Sequence, residues 1–138
     1  NIMLDATLAL NGLTRYGKKN GDWAVHGLGH EISLLFDTPH GATLSIAYIA
    51  WLRLQKERIP ERIANLGKNV FGVDTADETI SSLKSFFSSI ESPVSLSEAG
   101  IGPDQRQKII DQMHKNEVSG MHHKLSANDR ENIVNYML

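Results

Sequence analysis

Residues 26–41 read His-Gly-Leu-Gly-His-Glu-Ile-Ser-Leu-Leu-Phe-Asp-Thr-Pro-His-Gly, and this stretch contains two helical patterns separated by one break. A first helix is predicted over about 22–36, with Asp22 as its N-cap. The break is Asp-Thr-Pro at 37–39, because a proline inside a helix loses a hydrogen bond and clashes with the preceding turn. A strongly apolar second helix is predicted over about 41–56.

Three of the six histidines, His26, His30 and His40, lie within this stretch. His26 and His30 are one helical turn apart and therefore share a face. In one straight helix His40 would lie roughly 21 Å from His26, so these two can bind one ion only if the chain turns back between them. Imidazole is the commonest transition-metal ligand. The spacing therefore predicts a metal site, and three histidines that merely pack are the alternative.

Two glycines, Gly27 and Gly29, interrupt the same helical pattern. A glycine inside a helix costs roughly 1 kcal/mol relative to alanine. Their presence predicts that another helix or a flat ring packs directly against the backbone here. Gly41, directly after His40, is compatible with a tight entry into the second helix.

The remaining sequence also has helical periodicity, and no strand-like alternation persists for more than a few residues. The fold class predicted is all-α, a multi-helix bundle formed by one domain over 1–138. The other predicted helices are Ile2–Leu13, Pro60–Val70, one capped by Thr75 or Asp77 and running to Ile90, one opening at Pro103-Asp104, and one capped by Ser126; Val94–Gly102 is predicted as an irregular link and Asn116–Lys124 as a polar loop.

Composition narrows the classes of partner. The net charge of −2 gives no reason to expect a nucleic acid or an anionic membrane. No cysteine is present, which excludes thiolate metal sites and fits a reducing compartment such as the cytoplasm. The longest apolar run is too short to span a bilayer. The chain starts at Asn1 inside a helical pattern, which predicts that it is a piece of a longer protein.

Other candidate residues have simpler interpretations. Phe36 is considered as a wall of a substrate pocket, although ordinary core packing is favoured. Paired His122 and His123 are predicted on a solvated loop, and His114 has no partner at a useful spacing. Core or interdomain packing is predicted for the remaining aromatic residues of interest, which are Trp23, Trp51, Phe86, Phe87 and Tyr136.

The histidine stretch resembles the metal-binding signature of the iron-containing (group III) alcohol dehydrogenases, most closely their butanol dehydrogenase and aldehyde reductase branch. The shared pattern is a His, then Leu-Gly-His-Glu at 28–31, then His-Gly-Ala-Thr-Leu at 40–44. Segments 9–13 and 93–101 are also similar to the family's sequence in the right order. One departure is Tyr-Ile-Ala at 48–50, where relatives often have a proline.

The resemblance implies the C-terminal helical domain of a two-domain, dehydroquinate-synthase-like enzyme whose α/β nucleotide-binding domain is absent from this chain. His26 and His40 match two ligands of a divalent ion, Fe²⁺ or Zn²⁺. His30 matches a catalytic-site histidine that faces the nicotinamide of NAD or NADP without binding the metal. The implied reaction is hydride transfer between the nicotinamide and an alcohol or aldehyde, and a homodimer is compatible with the family.

Two other functions remain open from the residues themselves. A helical metal-dependent hydrolase could use His26, His30 and a carboxylate such as Asp37 around one ion. A non-catalytic helical interaction module would bind no metal. By itself this chain is predicted to bind metal weakly and to have no turnover, because two imidazoles make an incomplete ligand set.

Overall fold

The computed structural model describes residues 1–13, 16–17 and 20–138. Within these ranges the regular structure is entirely helical, which confirms the all-α prediction. A short 3₁₀ turn, Pro103–Gln105, precedes the sixth helix. The helices are α1 (Ile2–Leu10), α2 (Ala24–Phe36), α3 (His40–Gln55), α4 (Pro60–Val70), α5 (Ala76–Ser89), α6 (Arg106–Lys115) and α7 (Ala127–Met137).

Helix α3 is the centre of the bundle and packs against α2, α5 and α7. Ile46, Ala47 and Ala50 in this helix are completely buried. The apolar residues of α3 lie on most of its circumference, as expected for a helix surrounded by others. Burying each large aliphatic side chain contributes roughly 1.5–3 kcal/mol. The core thus holds the N-terminal end of α3, where His40 lies, against α2.

Two helices begin with capping boxes. At α5 the Thr75 hydroxyl accepts a hydrogen bond from the Glu78 N–H, while the Glu78 carboxylate accepts one from the Thr75 N–H. At α7 Ser126 and Asp129 make the same reciprocal pair. Each box satisfies backbone donors that the first turn leaves without partners. Thr75 and Ser126 are confirmed as caps.

The link between α5 and the 3₁₀ turn is irregular, as predicted, yet it belongs to the core. Val94, Leu96 and Ile101 are buried. The Leu96 N–H donates to the Met137 carbonyl at 2.7 Å. The Ser45 hydroxyl on α3 donates to the Pro93 carbonyl at 2.6 Å. The link therefore ties the C-terminal end of α7 to α3.

Helix α1 differs from the others because none of its residues is buried. Ile2 and Leu10 are largely exposed although both are strongly apolar. The helix ends at Leu10, three residues before the predicted end at Leu13, with Asn11 as its C-cap. Within the described ranges, no helix combines the length and the apolar character that crossing a bilayer requires.

Candidate metal centre

The chain turns back between α2 and α3 where the sequence predicts it. Asp37 takes a left-handed backbone conformation with φ 53°, which ends α2. Pro39 then occupies the N-cap position of α3, so His40 is the first residue of that helix. As a result the His26 Nδ1 and the His40 Nε2 lie 3.2 Å apart. The predicted convergence of these two histidines is confirmed.

The glycines of α2 allow the close approach of its neighbours. A Cβ at Gly29 would lie 2.9 Å from the Thr43 Oγ1 of α3, and one at Gly27 would lie 3.1 Å from a Val118 methyl. The sequence-based prediction of close packing is therefore confirmed, and for Gly29 the packed element is a helix. Gly41 has nothing within 4 Å of its Cβ position. Crowding therefore does not require a glycine there, and the space beside His40 is open.

The start of α2 corrects one prediction. Asp22 is not the N-cap; that position belongs to Trp23, which has a left-handed backbone with φ 63°. The Asp22 carboxylate instead accepts hydrogen bonds from the backbone of residues 122 and 123. A carboxylate before a helical pattern is a common cap, but here the carboxylate accepts its hydrogen bonds from a loop that is distant in sequence.

All three imidazoles of the stretch meet in one place. His26, His30 and His40 each offer a ring nitrogen, and these atoms lie within 4.8 Å of one another. The ring centroids of His30 and His40 are 4.5 Å apart. His30 is exposed, whereas the other two rings are half-buried. Asp37, the carboxylate suggested for the hydrolase alternative, is outside this group among the residues described.

The donor set fits a divalent transition metal. Two nitrogens about 2.1 Å from one tetrahedral ion lie roughly 3.4 Å apart, close to the 3.2 Å between His26 and His40. Without an ion the same pair makes a hydrogen bond in which one ring nitrogen donates. The His40 Nδ1 is buried and has no hydrogen-bond partner within the described residues. Imidazole suits zinc and iron, and so this group can provide part of a first coordination shell.

Electrostatics keep two of these rings neutral. Burial lowers the pKa of His26 below its usual value, and the nearby His40 and His30 lower it further because like charges repel. Burial and then His30 lower the pKa of His40 in the same way. A neutral imidazole has a free lone pair, which metal binding requires. Near neutral pH both rings are therefore in the form that binds a metal.

A cavity of about 610 Å³ adjoins His26. Its volume is within the range of small-molecule sites. Asp22 and Trp51 are among the residues that line it. The Asp22 Oδ2 and the Trp51 Nε1 are buried without a hydrogen-bond partner in the described part of the chain. Its wall includes the aromatic rings of Trp23, Tyr48 and Trp51, the apolar side chains of Leu52, Ile63 and Leu66, and the exposed Arg62.

The other candidates are placed as follows. Phe36 packs against the core beneath Lys108 and does not line the cavity, so the favoured core assignment is confirmed. The His114 Nε2 lies 3.2 Å from the Ala127 carbonyl, a partner that sequence spacing did not suggest. His122 is on an exposed loop, as predicted, whereas His123 is half-buried with its ring centroid 5.6 Å from that of Trp51, so the solvated position predicted for it is wrong.

The predicted packing of the aromatic residues is confirmed for some of them. Trp51 and Phe87 pack in or against the core. Trp23, Phe86 and Tyr136 are exposed in this chain, so core packing is wrong for these three and interdomain packing stays a prediction. Sequence reasoning missed Asp22 and Trp23 as neighbours of the site, although the Gly-Asp-Trp at 21–23, directly before the histidine helix, is a signal that could have indicated them.

Comparison with known proteins agrees with this all-helical architecture. The sequence profile described as the Fe-containing alcohol dehydrogenase family, C-terminal, matches residues 1–137. The chain is 32% identical over 136 residues to the probable NADH-dependent butanol dehydrogenase 1 of Bacillus subtilis, covering 93% of this chain and 35% of that protein. It is 32% identical over 124 residues to the NADH-dependent butanol dehydrogenase A of Clostridium acetobutylicum, covering 84% and 32%.

A solved structure is similar as well. The NADH-dependent butanol dehydrogenase A of Thermotoga maritima superposes with a TM-score of 0.90 and 29% identity, over 97% of this chain and 37% of that one. The chain belongs to the iron-containing alcohol dehydrogenase family and corresponds to its C-terminal helical domain. It spans about a third of the length of these relatives.

Proposed function

We propose that residues 1–138 act as a single metal-binding domain of an NAD(P)-dependent alcohol dehydrogenase or aldehyde reductase. The observation that carries the proposal is the convergence of His26 Nδ1 and His40 Nε2 to 3.2 Å from two separate helices. The names of the relatives supply the substrate class, an alcohol or an aldehyde, and the cofactor class. Because the relatives are about three times longer, we assign the nucleotide-binding domain and the remaining metal ligands to the additional length.

The residues that would hold the ion are His26 and His40. When bound, a divalent ion supplies Lewis-acid polarisation of a carbonyl or lowers the pKa of an alcohol. His26 and His40 contribute neutral nitrogen donors, so this part of the ligand set adds no negative charge. Which of Fe²⁺ and Zn²⁺ occupies the site follows from ligands outside these two residues.

The positions of His30 and Gly41 are suited to contact with the nicotinamide cofactor. His30 is exposed and its ring lies 4.5 Å from that of His40, so it can orient the nicotinamide or carry a proton on a ring nitrogen. The open space at Gly41 allows a flat ring to approach the backbone beside His40. The cavity beside His26 has the volume to receive the carbon chain of an alcohol or aldehyde.

The test is metal binding by the native chain and by three single variants. Titration with Zn²⁺, followed by calorimetry, should give one weak site in the native chain. His26→Ala and His40→Ala should each raise the dissociation constant by roughly 100-fold or more, since even indirect support of a ligand is worth 10–100-fold. His114→Ala is the matched control and should bind like the native chain.

The outcome that contradicts the proposal is retention of full Zn²⁺ affinity by either variant. Co²⁺ gives a second readout, because its visible absorption reports the number of ligands and should change in both variants. The chain alone should not reduce butanal with NADH or NADPH. In a longer protein containing this chain, the same two substitutions should abolish that reduction.

A further inference from the structure

The backbone of Trp23 is unusual for so bulky a residue. Its φ of 63° and ψ of 0° are in the left-handed region, at the N-cap of the helix that carries His26 and His30. Only a few per cent of non-glycine residues have positive φ, and a large aromatic there is an outlier. Such a conformation persists only where the surroundings impose it, and it clusters at functional sites. The contacts on both sides of Trp23 explain how it is imposed.

On the N-terminal side, Asp22 is fixed to the loop at 120–123. The Met121 N–H donates to the Asp22 carbonyl at 2.8 Å. The backbone N–H groups of His122 and His123 both donate to the Asp22 Oδ1 at 2.7 Å. A Cβ at Gly120 would overlap the Asp22 carboxylate, so only glycine leaves room for it. We refer to these contacts between Asp22 and residues 120–123 as the Asp22 clamp.

On the C-terminal side, α2 begins at once. The Trp23 carbonyl accepts a hydrogen bond from the Gly27 N–H at 3.0 Å, which is the first helical bond of α2. The position of α2 is in turn fixed by its close packing on α3 at Gly29. Trp23 therefore joins two fixed segments, the Asp22 clamp before it and α2 after it. Its backbone has to absorb the change of direction between them.

The consequence of this backbone is the placement of the indole. The Trp23 and His26 rings are in an edge-to-face arrangement, with centroids 5.0 Å apart and an interplanar angle of 62°. Edge-to-face geometry at this separation is the favoured arrangement of two aromatic rings. A Cβ at Gly21 would lie 3.3 Å from the Trp23 Nε1, so this glycine makes room for the indole. Trp51, which also lines the cavity beside His26, contacts the rings of Tyr48 and His123.

We propose that Trp23 is a positioning residue for His26. The Asp22 clamp fixes the left-handed backbone of Trp23, and the indole ring then restricts the imidazole to the orientation in which its Nδ1 faces His40. Outer groups that orient a ligand imidazole contribute to affinity because the ring does not have to be ordered when the ion binds. The inference rests on the proposed metal site only for its effect on affinity, since the ring orientation exists without an ion.

The test compares Trp23→Ala with Trp23→Phe in the full chain, with and without metal. In the metal-free chain, the nuclear Overhauser effect between the His26 and His40 ring protons reports the orientation. It should be lost in Trp23→Ala and kept in Trp23→Phe, which retains an aromatic edge. The Zn²⁺ dissociation constant should rise about tenfold in Trp23→Ala and less than threefold in Trp23→Phe.

Two further variants separate positioning from stability. Glu91 also has a left-handed backbone, with φ 58°, and is outside the histidine group; Glu91→Gly should leave both readouts at native values. Gly120→Ala disturbs the Asp22 clamp without removing the indole, and it should also weaken the ring-to-ring signal because the backbone of Trp23 is then no longer fixed. This variant decides the question if Trp23→Ala does not fold.

An unchanged His26–His40 signal in folded Trp23→Ala, or in folded Gly120→Ala, overturns the inference. The failure of the proposed function has a different signature. If the native chain binds no Zn²⁺ but the ring signal depends on Trp23 as described, the metal proposal fails and the positioning role stands.

Discussion

Helices α5 and α7 begin in one way, and helices α2 and α3 begin in another. The first pair starts with reciprocal capping boxes, Thr75 with Glu78 and Ser126 with Asp129. The second pair starts with Trp23 and Pro39, neither of which makes a side-chain cap hydrogen bond. Helices α2 and α3, which bear the histidines, thus lack the local device that fixes the starts of α5 and α7.

This difference has a physical meaning. A capping box fixes a helix start from within four consecutive residues, so it needs no help from the rest of the fold. The starts of α2 and α3 are fixed by tertiary contacts, namely the Asp22 clamp and the close packing at Gly29. Helix starts that do not follow local sequence preferences are expected at functional sites. This contrast is tested by substitutions in the scaffold away from the histidines, and for the first of them Zn²⁺ binding serves as a second readout.

The largest effect is expected for Gly67→Ala, where α4 crosses α5. A Cβ there would overlap the Thr79 side chain and lie 2.9 Å from a Val73 methyl. Thr79 is completely buried and its hydroxyl donates to the Thr75 carbonyl, so it cannot move aside. We expect the free energy of unfolding to fall by roughly 2–3 kcal/mol, measured by urea unfolding with circular dichroism.

The matched control for this substitution is Gly41→Ala, because nothing lies within 4 Å of that Cβ position. It should cause no loss of stability. Zn²⁺ affinity should stay within about twofold of native in folded Gly67→Ala. If Gly67→Ala is as stable as the native chain, α4 and α5 can move apart to make room for the added methyl group. Close packing would then not distinguish these helices from the helices that bear the histidines.

A smaller effect is expected for Ser126→Ala. The substitution removes the acceptor for the Asp129 N–H, which lies 3.1 Å from the Ser126 Oγ. Loss of an N-cap side chain costs about 1 kcal/mol, which should appear as a lower urea midpoint. Ser126→Asp restores an acceptor and should recover most of the difference. If the alanine and aspartate variants unfold at the same midpoint, α7 does not depend on its cap.

The smallest effect is an acid dependence centred on Asp129. Burial alone would raise the pKa of this carboxyl, but hydrogen bonds from the Ser126 backbone and from Arg58 outweigh it and hold the pKa below its usual value. A lowered pKa in the folded state means that Asp129 stabilises the fold above the unfolded pKa of about 3.9. That contribution is lost as the pH falls through the folded pKa.

The measurement is the urea midpoint between pH 6 and pH 3. Asp129→Asn should be less stable than native at pH 6, and the two curves should converge toward pH 3. Parallel curves for native and Asp129→Asn would refute the role given to the carboxylate.

Much of the fold follows from local sequence. The predicted starts at Thr75 and Ser126 are right because a capping box acts within one turn. The break before His40 is right because proline is incompatible with a helix interior. The end of α1 is three residues earlier than predicted. No residue of that helix is buried, and without packing the apolar pattern alone does not extend it.

The site was only partly predictable. Sequence spacing and the proline break predicted that His26 and His40 can meet, and glycine positions predicted that α2 is closely packed. The cap assigned to Asp22 was wrong because its carboxylate binds residues 122 and 123, about a hundred positions away. No local pattern contains that information.

The sequence by itself determined which segments are helical, where the chain turns between the histidines, and which donor atoms are available, because propensity, proline sterics and side-chain chemistry are local properties. The tertiary structure determined the orientation of the imidazole rings. The left-handed backbone of Trp23 exists only because the Asp22 clamp and α2 are both fixed by distant contacts. A conformation that local energetics disfavour can be specified only by neighbours that the folded chain brings together.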